Sequence, residues 1–344
     1  MSMGILQRIL FRAGFTSNVR WTEQEALKCK LFLHVPKTAG TSFRAAAEDF
    51  FGPKRIVRDY FDDPETSGSI RDTVRASGDP LQIIEAIRRD RATMLFGHFN
   101  VGRYCAIFGI GNAMTILRDP VTRVISHYRH AVRHQGYGRD LMTFARHGEF
   151  RNLQSRMLRN LDPAVFGIVG ITERYELTLS AVAHHWGWQL AGLRKNVGDE
   201  QGQFSANADE QQLIEIGKLN SDDQRLYDRA QFVVKNTDYC VQKGISLEPR
   251  GGFLILQPGR IIRGFGYVLG SDEPLKVRLV INGNEQGLLD CTNLSPHLSC
   301  WSAPRRGYIG FWLPDVKPDE GDVIELYDAV HDILLERRAV PAPG

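Results

Sequence analysis

The 344-residue chain has no long apolar run and only a few cysteines. No segment approaches the roughly 20 apolar residues that a membrane-spanning helix needs, so we expect no transmembrane segment. The five cysteines, at positions 29, 105, 240, 291 and 300, include no Cys-x-x-Cys pair. This pattern argues against a zinc site or a disulfide framework and favours a reducing compartment. We expect Cys291 and Cys300 to be buried thiols, although an oxidant could join them.

The N-terminus lacks the features of a cleavable signal peptide. Its first 15 residues, MSMGILQRILFRAGF, are amphipathic, with Arg8 and Arg12 inside the apolar pattern and no small-residue cleavage site. We interpret residues 1–29 as a leader. It either packs or frays, or it makes a weak peripheral contact with a membrane or a partner.

The chain also lacks a large excess of one charge. Its formal net charge is +3, which argues against bulk nucleic-acid binding. The charge is uneven, because nine arginines and no lysine lie between Arg118 and Arg159, with histidines at 127, 130, 134 and 147. Guanidinium groups match phosphate, sulfate and carboxylate groups. This window therefore indicates either an anion-binding surface or a solvated charged face.

Short apolar runs alternate with helical patterns up to about residue 245, which predicts an α/β fold. The segment from Asp59 to Pro80 is rich in turn-forming residues, so we expect a long loop there. Strands are predicted at 31–35, 93–98, 113–118 and 166–172, and helices at 43–51, 80–90, 120–134, 140–160, 175–187, 208–217 and 221–232.

The pattern changes after about Pro249, where apolar and polar residues alternate between turn signals. One of these signals, in INGNEQG at residues 281–287, predicts a hairpin. We therefore divide the chain into the leader, an α/β domain of residues 30–245 and an all-β, sandwich-like accessory module of residues 250–344.

A predicted strand runs directly into a loop rich in hydrogen-bond donors at residues 31–42, LFLHVPKTAGTS. A helix-compatible segment follows, and the free N–H groups of a first helical turn bind anions. Lys37 adds a positive charge, and Gly40 lets the backbone approach a ligand closely. The alternative is a strand–turn–helix junction with a solvent-facing lysine. We predict a phosphate or sulfate site formed by Lys37, Thr38, Ala39, Gly40, Thr41 and Ser42.

The loop lacks the GxxxxGK[ST] pattern of nucleotide kinases and NTPases, because its lysine precedes its glycine. No apolar run ends in an obvious magnesium-binding aspartate. Asp119 is followed by Pro120, which predicts that Asp119 caps a helix. Arg118 is expected at a strand end and Ser126 in the second turn of that helix, where both can hold one phosphate.

The two segments HVPKTAGTS (34–42) and ILRDPVTRVISHY (116–128) together resemble the sulfotransferases that use 3′-phosphoadenosine 5′-phosphosulfate (PAPS). The chain is most similar to the carbohydrate branch that contains heparan sulfate 2-O-sulfotransferase. Three further stretches fit that branch, and the resemblance covers residues 30 to 240. They are FGHF (96–99), NLQSRML (152–158) and VGITERYE (169–176).

The resemblance implies a parallel sheet flanked by helices, like that of the P-loop nucleotide kinases. The loop from Lys37 to Ser42 would hold the 5′-phosphosulfate, and Arg118 with Ser126 would hold the 3′-phosphate. The adenine pocket would draw on residues 172–175. A separate likeness, of the C-terminal segment to β-sandwich modules of bacterial polysaccharide-processing enzymes, suggests glycan binding through Trp301 or Trp312, or homodimerisation.

Sulfuryl transfer needs a cation at the leaving oxygen and a base for the acceptor hydroxyl. We predict Lys37 and His98 as the catalytic residues, since His98 ends the run TMLFGH and related enzymes carry a histidine in a Gly-His context. A purely structural His98 is the alternative. No metal is required in principle, because a sulfuryl group carries less negative charge than a phosphoryl group.

The resemblance implies a carbohydrate acceptor, either a polysaccharide or a glycolipid, that can be anionic. Acceptor-binding candidates are Arg123, Asn152, Gln154 and Arg156. We expect a cytoplasmic, bacterial enzyme. Two other functions stay open, namely an ATP-dependent kinase-like phosphotransferase and a non-catalytic glycan-binding protein on the same fold.

Overall fold

Five parallel strands form the first sheet of the protein. The computed structural model describes residues 25–192, 208–243, 250–295 and 304–342. The sheet order is β2-β3-β1-β4-β5, with every neighbouring pair parallel. The predicted α/β class is confirmed. The strands are β1 (Lys30–Leu33), β2 (Ile56–Asp59), β3 (Met94–Gly97), β4 (Ala113–Leu117) and β5 (Ile168–Ile171).

Helices cover both faces of this sheet, which explains why β1, β3, β4 and β5 are short, mainly apolar runs. Successive residues of β1 enter different cores: Leu31 and Leu33 pack in one cluster, and Phe32 packs in another on the opposite face. The helices are α1 (Gly40–Phe51), α2 (Ile83–Asp90), α3 (Val101–Phe108), α4 (Pro120–Gln135), α5 (Leu141–Arg146), α6 (Leu153–Met157), α7 (Tyr175–Trp186), α8 (Glu210–Leu219) and α9 (Ser221–Gln242).

The prediction of one long loop from Asp59 to Pro80 was wrong. Asp59 ends the unforeseen strand β2, and residues 68–75 form helical turns. Asp59 is 1% exposed, and its carboxylate accepts hydrogen bonds from Arg75 (2.7 Å) and Tyr104 (2.7 Å). Since Tyr104 lies outside this segment, 45 residues after Asp59, the composition of the segment alone could not reveal the strand.

Three further differences concern helices. The helix predicted over 140–160 is instead the two short helices α5 and α6, separated by a turn that contains residues 147–152. Helix α3 was not predicted, and α9 continues ten residues beyond the expected end at residue 232.

The C-terminal part contains two antiparallel sheets, with strand orders β10-β11-β7-β6 and β13-β12-β8-β9. Both sheets contribute to one apolar cluster that includes Leu254 and Leu326. Asn282 (φ 48°) and Gly283 (φ 82°) form the predicted hairpin turn between β8 and β9. The strands are β6 (Arg250–Ile255), β7 (Ile262–Val268), β8 (Lys276–Ile281), β9 (Asn284–Asp290), β10 (Asn293–Leu294), β11 (Tyr308–Leu313), β12 (Val323–Asp328) and β13 (Ile333–Ala339).

The antiparallel sheets contact the first sheet at the amino ends of its strands. Phe265 and Tyr267 of β7 join the core of the parallel sheet, and the Tyr267 hydroxyl donates to the carbonyl of Ala164, which precedes β5. Helix α9 completes the contact. Its Arg229 binds Asp162 (Nε to Oδ2, 2.9 Å) and donates to two carbonyls of the antiparallel sheets.

The leader and the cysteines are described in part. Ala26 and Cys29 are buried in the main core, while residues 1–24, Cys300 and Trp301 lie outside the described residues. Cys291 is a free, buried thiol, as are the other described cysteines. None of the described helices is long and apolar enough to cross a membrane.

The Arg229–Asp162 pair should stabilise the contact between α9 and the antiparallel sheets. Removing one member of a buried ion pair leaves its partner charged and unpaired, so Arg229→Ala should lower the free energy of unfolding by about 3–5 kcal/mol. Denaturant titration measures this change. Arg225→Ala, on the same helix but 77% exposed, should change it by less than about 0.5 kcal/mol. Equal effects of the two substitutions would contradict the assignment.

Candidate active site

Three predicted site residues follow three adjacent strands at the carboxyl edge of the parallel sheet. Lys37 lies in the loop after β1, His98 directly follows β3, and Arg118 directly follows β4. Strand β1 lies between β3 and β4. The connection after β1 runs to β2 on one side of it, whereas the connection after β3 runs to β4 on the other side. Ligands of open α/β sheets bind at such a switch point.

The lysine loop, residues 34–39, has an unusual backbone. Lys37 (φ 69°) and Ala39 (φ 66°) adopt the left-handed conformation that non-glycine residues rarely occupy. The Thr38 hydroxyl donates to the Val35 carbonyl (2.8 Å) and closes the loop on itself. Helix α1 begins at Gly40, and its N-cap residue, Ala39, provides no side-chain cap. The N–H groups of the first turn therefore have no acceptor from the side chain of the N-cap residue, which is a condition for binding an anion there.

Gly40 makes room for a histidine ring. A Cβ atom at Gly40 would lie 2.0 Å from Cδ2 of His34, which is 7% exposed. The glycine was predicted to let the backbone approach a ligand. The structure adds a second reason, because His34 fills the space where a side chain would lie.

Arg118 is held against the lysine loop. Its Nη1 donates to the Lys37 carbonyl (3.3 Å), and its backbone N–H and C=O bind the Gln154 side-chain amide (2.9 Å each). Gln154 is 0% exposed. It thus fixes the strand end that carries Arg118, while the predicted contact between Gln154 and an acceptor stays a prediction.

Helix α4 brings a second group of polar side chains to the same edge. Asp119 caps it as predicted, accepting from the Thr122 N–H (2.8 Å). Arg123 is 0% exposed and Ser126 is 6% exposed. Arg123 donates to the Phe150 carbonyl (2.8 Å), while its Nε and Nη1 have no hydrogen-bond partner among the described residues. Burial lowers the pKa of Arg123 to about 10.

Two of the other acceptor-binding candidates have different surroundings. The Asn152 side chain donates to Asp222 (3.0 Å) and accepts from the N–H groups of Asp222 and Asp223 at the start of α9. Arg156 is exposed and donates to the Glu149 carbonyl. Asn152 therefore anchors α9, whereas Arg156 remains accessible to solvent.

His98 lies in a cluster of rings. Its ring centroid is 4.7 Å from that of His34 and 4.7 Å from that of Tyr60, and its Nε2 has no partner among the described residues. Burial lowers the pKa of His98 to about 4. The carboxylates of Asp63 and Glu65 act in the opposite direction. His98 is therefore neutral near pH 7 and can accept a proton.

Two histidines of α4 extend this group. Burial lowers the pKa of His127 to about 3, and the positive charges of Arg123 and Lys37 add to that effect. Burial and then Lys37 lower the pKa of His130. The positive charge of Lys37 therefore acts on both of these histidines of α4.

The segment predicted to contribute to an adenine pocket lies beside this site. The Thr172 hydroxyl donates to the Leu117 carbonyl (3.1 Å), and the Glu173 carboxylate accepts from the Asp119 N–H (3.1 Å). The carboxyl ends of β4 and β5 are thereby joined.

Comparison of the sequence with models of known protein families gave no match, and comparison with curated proteins gave none either. Within the described ranges, no three or more His, Cys, Asp and Glu side chains form a group that could hold a metal ion. A small pocket, partly open to solvent, lies elsewhere, between α9 and the antiparallel sheets, lined by Asn236, Arg250 and Leu335 among others.

The contact between Gly40 and His34 can be tested by a double-mutant cycle. Gly40→Ala should lower the free energy of unfolding by about 1–3 kcal/mol, because the new methyl group overlaps a buried ring. His34→Ala in the same chain should recover part of that loss. Gly68→Ala is the control, since nothing lies within 4 Å of a Cβ there. Strictly additive effects would rule the contact out.

The depressed histidine pKa values predict an acid-labile fold. Below about pH 6.5 the unfolded chain binds protons that His98 and His127 do not bind in the folded state. The free energy of unfolding should therefore fall as the pH falls from about 6.5 towards 4. Urea melts of the protein and of His98→Gln/His127→Gln should show a shallower slope for the variant. A variant slope equal to that of the parent, or an equal change in the exposed-site control His147→Gln, would contradict this.

Proposed function

We propose that the protein is a sulfotransferase that transfers the sulfuryl group of PAPS to a carbohydrate hydroxyl. The observation that supports this best is the convergence of Lys37, Arg118 and His98 at the carboxyl ends of three adjacent strands. Two elements suited to anion binding and a neutral histidine meet there, which supports the proposal. We further propose that the sheet belongs to the P-loop-kinase-like type.

The donor would be held by its two phosphate-bearing ends. The loop from Lys37 to Ser42, at the start of α1, suits the 5′-phosphosulfate, since it combines a lysine with an uncapped helix N-terminus. Arg118 and Ser126 suit the 3′-phosphate, and residues 172–175 lie beside them for the adenine. The residues present fit such a polyanion, because it would offset the repulsion among these positive groups.

PAPS supplies an activated sulfuryl group, whose bond to the leaving phosphate breaks as the bond to the acceptor oxygen forms. Lys37 stabilises the negative charge that grows on the leaving oxygen, an interaction that is stronger in the transition state than before it. His98 takes the proton of the acceptor hydroxyl, which its neutral form allows. Gln154 keeps Arg118 in place.

A kinase-like phosphotransferase is the second candidate. It would need a group that binds magnesium with ATP, and the side chain of Asp119, which follows β4, is instead engaged in capping α4. A glycan-binding protein without catalysis is the third candidate. The intact set of Lys37, His98, Arg118 and Ser126 favours the enzyme over this candidate.

Calorimetric titration with adenosine 3′,5′-bisphosphate, without magnesium, tests the donor site. We expect binding in the micromolar range, weakened about 10- to 100-fold in Arg118→Ala, because a hydrogen bond to a charged group contributes about 1.5–3 kcal/mol. Arg146→Ala is the matched control, since this arginine of the same window lies on α5 and pairs with Glu215. Binding of ATP with magnesium but not of the bisphosphate would indicate a phosphotransferase instead.

Transfer of labelled sulfate then separates binding from chemistry. Lys37→Ala should reduce turnover strongly, whereas His98→Ala should abolish transfer and keep the affinity for the bisphosphate. Normal turnover in the His98 variant would exclude it as the base. Bisphosphate binding without transfer to any tested glycan would favour the non-catalytic alternative.

A further inference from the structure

The segment after β2 forms an exposed rim beside the candidate base. This rim, residues 60–65 with the sequence YFDDPE, carries three carboxylates and two aromatic rings. Phe61 is 44% exposed, and residues 62–65 are exposed as well. The lysine loop and Arg118 approach the site from β1 and β4, whereas the rim approaches it from the β2 side of the sheet.

The rim is ordered by hydrogen bonds of its own. The buried Thr66 hydroxyl accepts from the Tyr60 N–H (3.0 Å) and donates to the Phe61 carbonyl (2.9 Å). The Asp63 carboxylate accepts from the Glu65 N–H (2.7 Å), and the Thr66 N–H donates to the Asp63 carbonyl (3.0 Å). The backbone of the rim and the Asp63 carboxylate therefore have defined positions in the folded protein.

The rim faces His98. The Tyr60 ring meets the His98 ring edge to face, at 4.7 Å between centroids. Burial lowers the pKa of His98; the charge of Asp63, and less so that of Glu65, acts in the opposite direction, while the charge of Arg44 adds to the lowering. His34, 7% exposed, also packs against His98 and lies 6.3 Å from Tyr60 between ring centroids, and its Nδ1 has no partner among the described residues.

The charge around the rim is negative. Four arginines are close to it. Arg44 binds Glu65 (2.5 Å) and lies 3.9 Å from Glu48, and Arg58 lies 4.0 Å from each of these glutamates. Arg75 and Arg103 lie over the Phe61 ring, and both pair with the buried Asp59. With Asp62 and Asp63, five carboxylates stand against these four arginines, so an approaching group meets a surface with a small net negative charge.

We propose that the rim is the acceptor subsite and that the sugar unit sulfated there carries no negative charge, being either neutral or an amino sugar. This inference rests on the proposed function. Sugar hydroxyls donate to carboxylates, and the C–H faces of a sugar ring pack on exposed aromatic rings. A carboxylate or sulfate on that unit would be repelled by Asp63. Arg118 and the arginines near the lysine loop then serve the donor. The sequence led us to expect an acceptor that can be anionic, and this proposal restricts the unit that is sulfated to a sugar without negative charge.

Three oligosaccharides of equal length test this selectivity: chitotetraose, its fully deacetylated form and tetragalacturonate. Each is titrated at low salt into protein saturated with adenosine 3′,5′-bisphosphate, and binding is followed by NMR shifts. We expect the amino and neutral tetramers to bind about fivefold or more tighter than the uronate, as expected for one charge a few ångströms away at a protein surface.

Asp63→Asn/Glu65→Gln should reduce that preference to within about twofold, since both substitutions keep the side-chain shape and remove the charge. Asp72→Asn is the control, because Asp72 is exposed and pairs with Arg89 instead. Equal or tighter binding of the uronate would overturn the proposal. So would a preference that the double variant leaves unchanged, or no binding by any tetramer.

Failure of the proposed function is visible separately. If the bisphosphate does not bind, the donor assignment fails. The same three titrations of the unloaded protein then still decide whether the rim is a sugar subsite and which charge it selects.

Discussion

One buried carboxylate, Asp223, connects the elements that carry the site. It lies at the start of α9, is 0% exposed, and accepts from the N–H groups of Gln154 (3.2 Å) and Ser155 (2.8 Å). It also lies 3.9 Å from Nε of Arg123. Gln154 in turn binds both backbone groups of Arg118. The position of Arg118 at the end of β4 therefore depends on a helix more than 100 residues later in the chain.

This arrangement gives the site an electrostatic character that it could not have in water. Arg123 and His127 are held in surroundings that oppose their positive charge, and the charge of Lys37 adds to that opposition at His127. Burial is the larger effect on the pKa of both residues. The free-energy cost of burying these positive groups close together is offset by packing elsewhere in the protein. A polyanion that enters the site would replace the missing negative charge.

The sequence predicted some parts of this structure and missed others for identifiable reasons. Strands β1, β3, β4 and β5 were predictable, because strands buried on both faces appear as short apolar runs. The positions of Lys37, His98 and Arg118 after those strands were predictable from the same apolar runs, while their roles stay predictions. Strand β2 was not predictable, because two of its four residues are charged and Asp59 is neutralised by distant partners.

The local pattern also could not show what long-range packing decides. Position 40 has no room for a side chain because the His34 ring lies there. Asn152 is hydrogen-bonded to Asp222 of α9, and Gln154 is hydrogen-bonded to Arg118. The exposed aromatic and acidic residues after β2 indicated only a loop. Their relation to His98 becomes visible once β2 and β3 are seen to pair in parallel, which brings the ends of both strands to one edge.

The position of the antiparallel sheets has a consequence for how the protein can be used. They contact the amino ends of the parallel strands, through Tyr267 and Ala164, while the site lies at the carboxyl ends. The exposed Trp312 belongs to those sheets. A surface or polymer bound by these sheets would contact the protein near the amino ends of the parallel strands and leave the carboxyl ends accessible. Binding to that surface and binding at the candidate site would then occur at opposite ends of the parallel sheet, so that one would not block the other.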